Sequence, residues 1–167
     1  MQRTSFESMN CSIAQCLEIV GEWWSMLIVR DAFLGVRRFD DFQARLGISR
    51  NILNVRLKGL VESGILDREP YQEHPPRFEY RLTEKGRALW PVVNAMRQWG
   101  DEWATPSSGV PLEMLHKGCG HVVTAVEVCS DCGERLDASA VRARPGPGAG
   151  PTDFERTALA HSASPTT

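Results

Sequence analysis

Residues 39–64, FDDFQARLGISRNILNVRLKGLVESG, contain the strongest structural pattern of the chain. The spacing of apolar residues predicts one short helix over 39–46 and a longer helix over about 50–62. Gly47 and Ile48 predict a tight turn between them, and Ser49 is a preferred N-cap for the second helix. Two helices joined by a glycine-containing turn are typical of a helix-turn-helix unit.

The flanking sequence extends this unit. Apolar periodicity and alternation predict further elements, which are helices over about 12–20 and 23–35 and strands over 65–71 and 78–83. A helix-turn-helix followed by a β-hairpin is a winged helix. One more helix is expected over about 84–103, with a kink or break near Trp90 because Pro91 interrupts it.

Composition divides the chain into three expected regions. Its 167 residues are 42% hydrophobic and 24% charged, which are ordinary globular values that exclude wholesale disorder. We expect a winged helix-turn-helix domain for DNA binding and dimerisation over 1–104, a small cysteine-containing β-ribbon over 105–142 and a disordered tail over 143–167. The expected fold class is mainly α with a β-hairpin wing.

The sequence has no transmembrane run and no signal-peptide core in the polar residues 1–11, which predicts a cytoplasmic, nucleoid-associated protein.

The net charge of −2 gives no reason to expect binding to nucleic acid, but the distribution of charge along the chain does. Residues 37–58 contain six basic and two acidic side chains, a local excess that suits phosphate binding. The polar face of the second helix carries residue types that read bases, since Arg pairs with guanine and Asn with adenine. The predicted DNA contacts are Arg37, Arg38, Ser49, Arg50, Asn51, Asn54, Val55 and Lys58, with His74 and Arg77 in the wing. The alternative is a solvated polar face, which any surface helix has.

An ordered set of motifs along residues 9–104 resembles one family of regulators. They are CSI at 11–13, VGEWW at 20–24, LIVRD at 27–31, RF at 38–39, GISRN at 47–51, RLK at 56–58, Leu60, SGI at 63–65 and EYRLTEKG at 79–86. Together they are similar to the HxlR-type winged-helix regulators. The resemblance implies a bacterial homodimeric transcription factor, a repressor or an activator, with terminal helices of both subunits in the dimer core. Ser12 stands where the family usually has proline, and Asn54-Val55 where more polar pairs are frequent.

Cys11 is a candidate sensor residue. It directly precedes the first turn of a predicted helix, where free backbone amides favour the thiolate that attacks electrophiles and oxidants. The family resemblance supports this role, because redox-responsive members use a cysteine at this position. A small electrophilic or oxidising molecule is then the expected effector. The alternative is a small apolar side chain in the dimer core.

Dimerisation is predicted from apolar surface that one winged helix cannot cover. That surface belongs to the helix over 13–20 and to the helix bearing Val92, Met96 and Trp99. The expected partners are therefore double-stranded DNA and a second copy of the chain, without a membrane.

Two similar cysteine patterns follow the winged helix. HKGCG at 116–120 and CSDCG at 129–133 share a ligand-type residue, two spacers, Cys and Gly, a spacing that suits tetrahedral zinc. The sequence predicts one zinc ion held by His116, Cys119, Cys129 and Cys132, with His121 as a spare ligand. A straight segment between the patterns would separate Cys119 from Cys129 by about 33 Å at roughly 3.3 Å per residue. The segment must bend for zinc to bind, and the alternatives are a β-meander with reduced thiols or a Cys129–Cys132 redox pair.

Three classes of function are compatible with these residues. The leading one is a sequence-specific DNA-binding regulator, and the others are a thiol oxidoreductase using the CxxC pair and a protein-binding adaptor. No thioredoxin-like βαβ pattern surrounds the pair, and nothing supplies an activated nucleophile. The sequence therefore favours a regulator that is not an enzyme.

Overall fold

The computed structural model describes residues 5–104 and 109–150. The helices and strands of this part are α1 Ser12–Val20, α2 Trp23–Phe33, α3 Phe39–Leu46, α4 Arg50–Glu62, β1 Leu66–Gln72, β2 Arg77–Leu82, α5 Glu84–Arg87 and α6 Trp90–Trp103. The predicted class, mainly α with a β-hairpin wing, is confirmed. Most of the predicted disordered tail, residues 151–167, lies outside the described residues.

The chain divides into two units that differ from the regions drawn from composition. Residues 16–125 form one unit, which contains the helix-turn-helix and the wing. The described residues before 16 and after 125 belong to the other unit. The boundaries at 104 and 142 follow composition alone and stay a prediction.

The helix-turn-helix has its predicted bounds because local capping fixes both sides of the turn. The backbone of Gly47 is left-handed, with φ +65°, and its N–H donates to the Gln43 carbonyl at 2.9 Å. A non-glycine residue at this φ costs energy, so glycine ends α3 well. The Ser49 hydroxyl accepts from the Ile52 N–H at 3.3 Å and begins α4.

The core lies between α2, the helix-turn-helix and the base of the wing. Ile28 and Val29 of α2 are fully buried. The residues that pack with them are Phe42, Ile48, Leu53, Leu57, Leu60, Ile65, Leu66 and Tyr80. Each buried aliphatic or aromatic side chain stabilises the fold by about 1.5–3 kcal/mol relative to exposure, so burial of this cluster positions α4.

A fully buried carboxylate joins α2 to α3. Asp31 has 0% exposure, and its Oδ1 lies 2.9 Å from Nη2 of Arg30. The Nε of Arg45, in the last turn of α3, lies 3.4 Å from its Oδ2. A buried charge is tolerated only when it is paired, so this contact fixes the position of α3. Sequence periodicity gives no sign of the pairing, because residues 14 positions apart make it.

The wing is a two-stranded antiparallel sheet with a third segment beside it. Leu66 pairs with Leu82, and the register shifts between Pro70 and Gln72. Arg38 forms an isolated bridge with Glu79, next to a 2.7 Å hydrogen bond from the Tyr80 N–H to the Arg37 carbonyl. The observed strands lie within about one residue of the predicted bounds.

The predicted break near Trp90 is confirmed. α5 ends at Arg87 and α6 begins at Trp90, with Pro91 in its first turn, where the missing N–H costs nothing. A Cβ on Gly86 of α5 would lie 2.1 Å from the Ile65 carbonyl oxygen, so glycine permits this close approach. No helix within 5–104 or 109–150 combines the length and apolar character that crossing a bilayer requires.

The C-terminal segment contains less regular structure than the predicted ribbon. Within described residues 109–150, pairing is limited to two isolated antiparallel bridges, Leu115 with Val122 and Val128 with Arg135. Residues 123–127 are not part of a strand. The spacer between the two cysteine patterns is therefore not a continuous strand, and the β-ribbon over 105–142 stays a prediction.

We predict opposite stability effects for two glycines of the helix-turn-helix. Gly47→Ala lowers the free energy of unfolding by about 1–2 kcal/mol, since its φ of +65° disfavours a Cβ. Gly59→Ala raises it by about 0.5–1 kcal/mol, because Gly59 is helical and open space surrounds its Cβ position. Urea denaturation at one protein concentration measures both, and effects of the same sign contradict the prediction.

Candidate nucleic-acid interface

α4 has one buried face and one exposed polar face. Leu53, Leu57 and Leu60 are at most 1% exposed and pack in the core. All ten side chains predicted to contact DNA are exposed: Arg37, Arg38, Ser49, Arg50, Asn51, Asn54, Val55, Lys58, His74 and Arg77. The packing of the apolar face therefore turns the predicted base-reading residues outward.

A cleft of about 760 Å³ lies between α4 and the wing. The structure brings half of the predicted residues together there, namely Arg38, Arg50, Asn51, Asn54 and Arg77. Arg37, Ser49, Val55, Lys58 and His74 are exposed beyond its lining. The cleft therefore combines amide and guanidinium groups from a helix and a hairpin on one concave surface.

Arg50 is held in place at the start of α4. Its Nη1 donates to Asp40 Oδ1 at 3.0 Å and to Gln43 Oε1 at 3.1 Å, and the guanidinium lies 4.8 Å from the centre of the Phe39 ring. The two charged side chains are 67% and 71% exposed, and such surface pairs contribute about 0–1 kcal/mol. A bidentate contact between arginine and guanine contributes about 1–3 kcal/mol of discrimination between bases. This is more than the ion pair with Asp40 contributes, so Arg50 would exchange that pair for a contact to guanine.

Arg68 is a residue of the cleft that the sequence interpretation missed. It lines the cleft, and its guanidinium lies 3.5 Å from the centre of the Phe78 ring. In β1 it pairs with Tyr80 of β2, so strand alternation could have placed it on the cleft side of the wing. Arg38 has a similar environment, 4.6 Å from the Tyr71 ring centre and 3.3 Å from Glu79 Oε1.

The six-to-two excess of basic residues over 37–58 overstates the unpaired positive charge of this stretch. Arg45 pairs with buried Asp31, and Arg56 pairs with Glu22 Oε2 at 2.9 Å while both side chains are 29% exposed. Arg45 and Arg56 therefore neutralise acidic side chains within the protein, namely Asp31 of α2 and Glu22 directly before α2. Lys58 stays exposed beside Glu62, with 3.6 Å between Nζ and Oε1. A count of charges over a short stretch of sequence does not reveal ion pairs with residues elsewhere in the chain.

Several side chains of the candidate interface have no partner among the described residues that would compete with a bound ligand. In the portion of the chain that the structure describes, the side chains of Arg37, Asn51, Asn54 and Arg77 make no hydrogen bond or ion pair. Val55 is 52% exposed and apolar. An exposed group without a partner gives up only water when it contacts a ligand, so these positions are suited to binding.

The candidate sensor Cys11 is an exposed free thiol at the start of α1. Its carbonyl accepts the first helical hydrogen bond from the Gln15 N–H at 2.9 Å. The Gln15 amide also donates to the carbonyls of Phe6, Glu7 and Met9, at 2.8–3.2 Å. Gln15 thus holds the preceding loop against the helix start, with the sulfur accessible from solvent.

The two predicted metal-ligand patterns form two separate turns. His116 Nδ1 lies 3.3 Å from Cys119 Sγ in the first turn. In the second, backbone hydrogen bonds from Cys132 and then Asp131 lower the pKa of the Cys129 thiol. No three or more His, Cys, Asp or Glu side chains meet as a metal site anywhere in the described ranges 5–104 and 109–150. The four-ligand zinc site stays a prediction.

Helix-turn-helix, wing and basic cleft together define a winged-helix protein. Residues 19–108 match the HxlR-like helix-turn-helix family. The chain is 46% identical over 137 residues to an uncharacterised HTH-type transcriptional regulator of Mycobacterium tuberculosis strain H37Rv, which is 82% of this chain and 87% of that protein. The chain belongs to the HxlR-like family of transcriptional regulators, as the sequence motifs predicted.

Two solved structures are similar over different lengths of the chain. The crystal structure of PA1607, a proposed transcription factor, matches with a TM-score of 0.77 at 40% identity, covering 86% of this chain and 100% of that one. The redox regulator HypR in its reduced form matches with a TM-score of 0.51 at 34% identity, covering 54% and 90%. The similarity to HypR spans about half of this chain, whereas that to PA1607 extends over most of it.

Proposed function

We propose that this chain is a sequence-specific DNA-binding regulator. Its helix α4 reads bases, and basic residues around α4 bind the phosphate backbone. The observation that carries the proposal is the cleft between α4 and the wing, where exposed Arg50, Asn51 and Asn54 face the same concavity as Arg77. A helix of this kind fits the major groove, and a basic hairpin beside it fits the adjacent backbone or minor groove.

The residues divide into two roles by their chemistry. Arg50 and Asn54 read bases, because their planar groups can donate and accept in pairs. Arg37, Arg38 and Lys58 bind phosphates, since point contacts to the backbone require only positive charge and reach. Transcriptional regulation is a non-enzymatic role, and the helix-turn-helix relatives favour it over the oxidoreductase alternative. The proposed location is the cytoplasm, at the DNA.

We also propose that the chain acts as a homodimer. α6 exposes Met96, Trp99 and Trp103 at 56–69%, and α1 exposes Ile13 at 72%. Large apolar side chains at this exposure are costly in water and mark interaction surfaces. Covering them with a second copy would place two α4 helices on one DNA, at a spacing that the dimer geometry sets.

The proposed regulator responds to electrophiles or oxidants through Cys11. The thiol is exposed, and it lies at the start of one of the proposed dimer helices. The similarity to the redox regulator HypR supports this role. Modification at this position would tilt the two α4 helices relative to each other and weaken binding to properly spaced half-sites.

Base reading is tested with a duplex selected from a random-sequence pool by the wild-type protein. Arg50→Ala should weaken binding to this duplex by about 5–150-fold, corresponding to about 1–3 kcal/mol, and leave random DNA nearly unaffected. Lys58→Ala should weaken both and lower the salt slope by about one. Arg87→Ala, an exposed arginine of α5 outside the cleft, is the control. Equal losses on both DNAs for Arg50→Ala would refute base reading, and failure to select any sequence would refute the function.

Dimerisation is tested by sedimentation of the full chain at micromolar concentration. We expect a dimer for the wild type and a monomer for Met96→Glu, because a carboxylate in an apolar interface is left without a partner. Val141→Glu is the matched control, since both parent side chains are 56% exposed. A wild-type monomer, or a Met96→Glu dimer as stable as the wild type, contradicts the prediction.

Sensing by Cys11 is tested by treating the protein with benzoquinone and measuring binding to the selected duplex. Wild-type protein should lose specific binding and keep non-specific binding, while Cys11→Ser should keep both. Cys16→Ser, the partly buried cysteine of α1, should respond like the wild type. If wild type and Cys11→Ser respond alike, Cys11 is structural.

A further inference from the structure

A second cavity, of about 630 Å³, lies between α2, α6 and residues 111–114. It is separate from the cleft beside α4, because the two have no lining residue in common. Sites for small molecules usually have volumes of about 300–1,000 Å³ and apolar walls with a few polar groups. The volume of this cavity is therefore suited to an organic molecule rather than to a single ion.

The walls of the cavity are mainly apolar and partly aromatic. The rings of Phe33 and Trp90 meet edge to face, with 5.3 Å between their centres. Met26, Met96 and Leu112 also line the cavity. Aromatic edges and thioether sulfurs pack favourably against a flat aromatic ring. Met96 and Leu112 are 56% and 40% exposed, so a ligand can enter beside them.

One wall comes from residues that follow α6, namely Pro111, Leu112 and Met114. They lie beyond residues 19–108, the part of the chain that matches the HxlR-like family. Further along, the backbone of Ala125 is joined to α6 by the side chain of Gln98. This amide donates to the Ala125 carbonyl at 3.1 Å and accepts from the Ala125 N–H at 2.8 Å. The wall therefore belongs to the same unit as α2 and α6, and the cavity is not formed by the family's common domain alone.

The charged side chains of the lining carry an excess of positive charge. Arg30 and Arg45 both line the cavity, and both pair with the single buried carboxylate of Asp31. Two guanidinium groups sharing one carboxylate leave a net charge of +1. The other charged residues of the lining, Arg97 and Asp101, pair with each other and are neutral together. The lining is therefore complementary to an organic anion.

The same two arginines have donor groups that Asp31 does not use. Asp31 Oδ1 accepts from Nε and Nη2 of Arg30, at 3.0 and 2.9 Å. For Arg45, Nε lies 3.4 Å from Asp31 Oδ2 and Nη2 lies 3.5 Å from Oδ1. Among residues 5–104 and 109–150, neither Nη1 has a hydrogen-bond partner. Since the two side chains are 43% and 49% exposed, their Nη1 groups can bind an anion without breaking the pairs with Asp31.

We propose that this cavity binds an aromatic organic acid, with the ionised group at Arg30 and Arg45 and the rings against Phe33 and Trp90. Hydrogen bonds from guanidinium to an anion are about twice as strong as neutral ones, so charge determines the selectivity. Arg45 lies in the last turn of α3, so the bound acid contacts the helix-turn-helix directly. Binding is independent of the proposed DNA contacts, because no residue of α4 or the wing lines the cavity.

The first test compares two fluorescent probes that share one apolar body. Anilinonaphthalene sulfonate carries an anionic group, and N-phenylnaphthylamine lacks it. Titrated into the full chain without DNA, the anion should bind at least about tenfold more tightly, because hydrogen bonds to charged groups are stronger than neutral ones. Equal or tighter binding of the uncharged probe overturns the assignment of an acid.

The role of Arg30 is tested with the same two probes. Arg30→Gln should lose the preference for the anion and keep its affinity for the uncharged probe, whose binding also shows that the cavity is intact. Arg45 remains to pair with Asp31 in this variant. A preference for the anion that survives in Arg30→Gln contradicts the assignment.

Matched variants locate the bound probe. Gly100 of α6 lines the cavity and has open space around its Cβ position, so Gly100→Phe should fill part of the cavity and weaken binding of both probes at least about tenfold. Gly59→Phe makes the same change on exposed, equally open Gly59 of α4 and should bind both probes like the wild type. Arg68→Ala removes an arginine of the other cleft and should also bind them like the wild type. Unchanged binding by Gly100→Phe, or an equal loss in Gly59→Phe or Arg68→Ala, overturns the proposal.

A second copy of the chain is the competing occupant, since Met96 belongs both to this cavity and to the proposed dimer surface. Probe affinity is therefore measured over a range of chain concentrations that spans dimer formation. Constant affinity supports a site for a small molecule. Affinity that falls as the dimer forms would show that the second copy covers the cavity, and it would overturn the proposal.

Discussion

The buried carboxylate of Asp31 is the contact on which the arrangement of the helix-turn-helix depends. Burial of an ionised group is tolerated only with close partners, and Arg30 and Arg45 supply them from two different helices. Because Arg45 lies in the last turn of α3, the contact fixes that helix just before the glycine turn. The position of α4, and with it the proposed base-reading face, follows from this pairing and from the apolar core beneath it.

The elements that the sequence predicts well are those whose signals are local. Gly47 and Ser49 determine the turn through backbone conformation and capping, and the bounds of α3 and α4 agree with the structure. Pro91 likewise marks the break before α6. These features depend on neighbours within one helical turn, so short-range chemistry is sufficient to locate them.

The features that the sequence does not predict depend on distant partners. The pairing of Arg45 and Arg56 with acidic side chains reduces the unpaired positive charge of the basic stretch. Arg68 joins the cleft only because the hairpin register and the Phe78 ring place it there. The sequence pattern of one helix face is sufficient to identify the exposed residues of α4. Which residues of the wing line the cleft depends on how the hairpin packs beside α4, and this packing is not visible in a local pattern.

The hairpin also has a property that concerns solubility more than recognition. β1 pairs with β2 on one side, and within the described residues its other edge has no strand beside it. Exposed strand edges invite pairing with other chains, but Pro70 cannot donate to a ladder and the irregularity next to it bends the strand. Charged Asp67, Arg68 and Glu69 further oppose a neighbouring strand. The proline, the register shift and the charges at this edge therefore oppose growth of the wing into an intermolecular sheet.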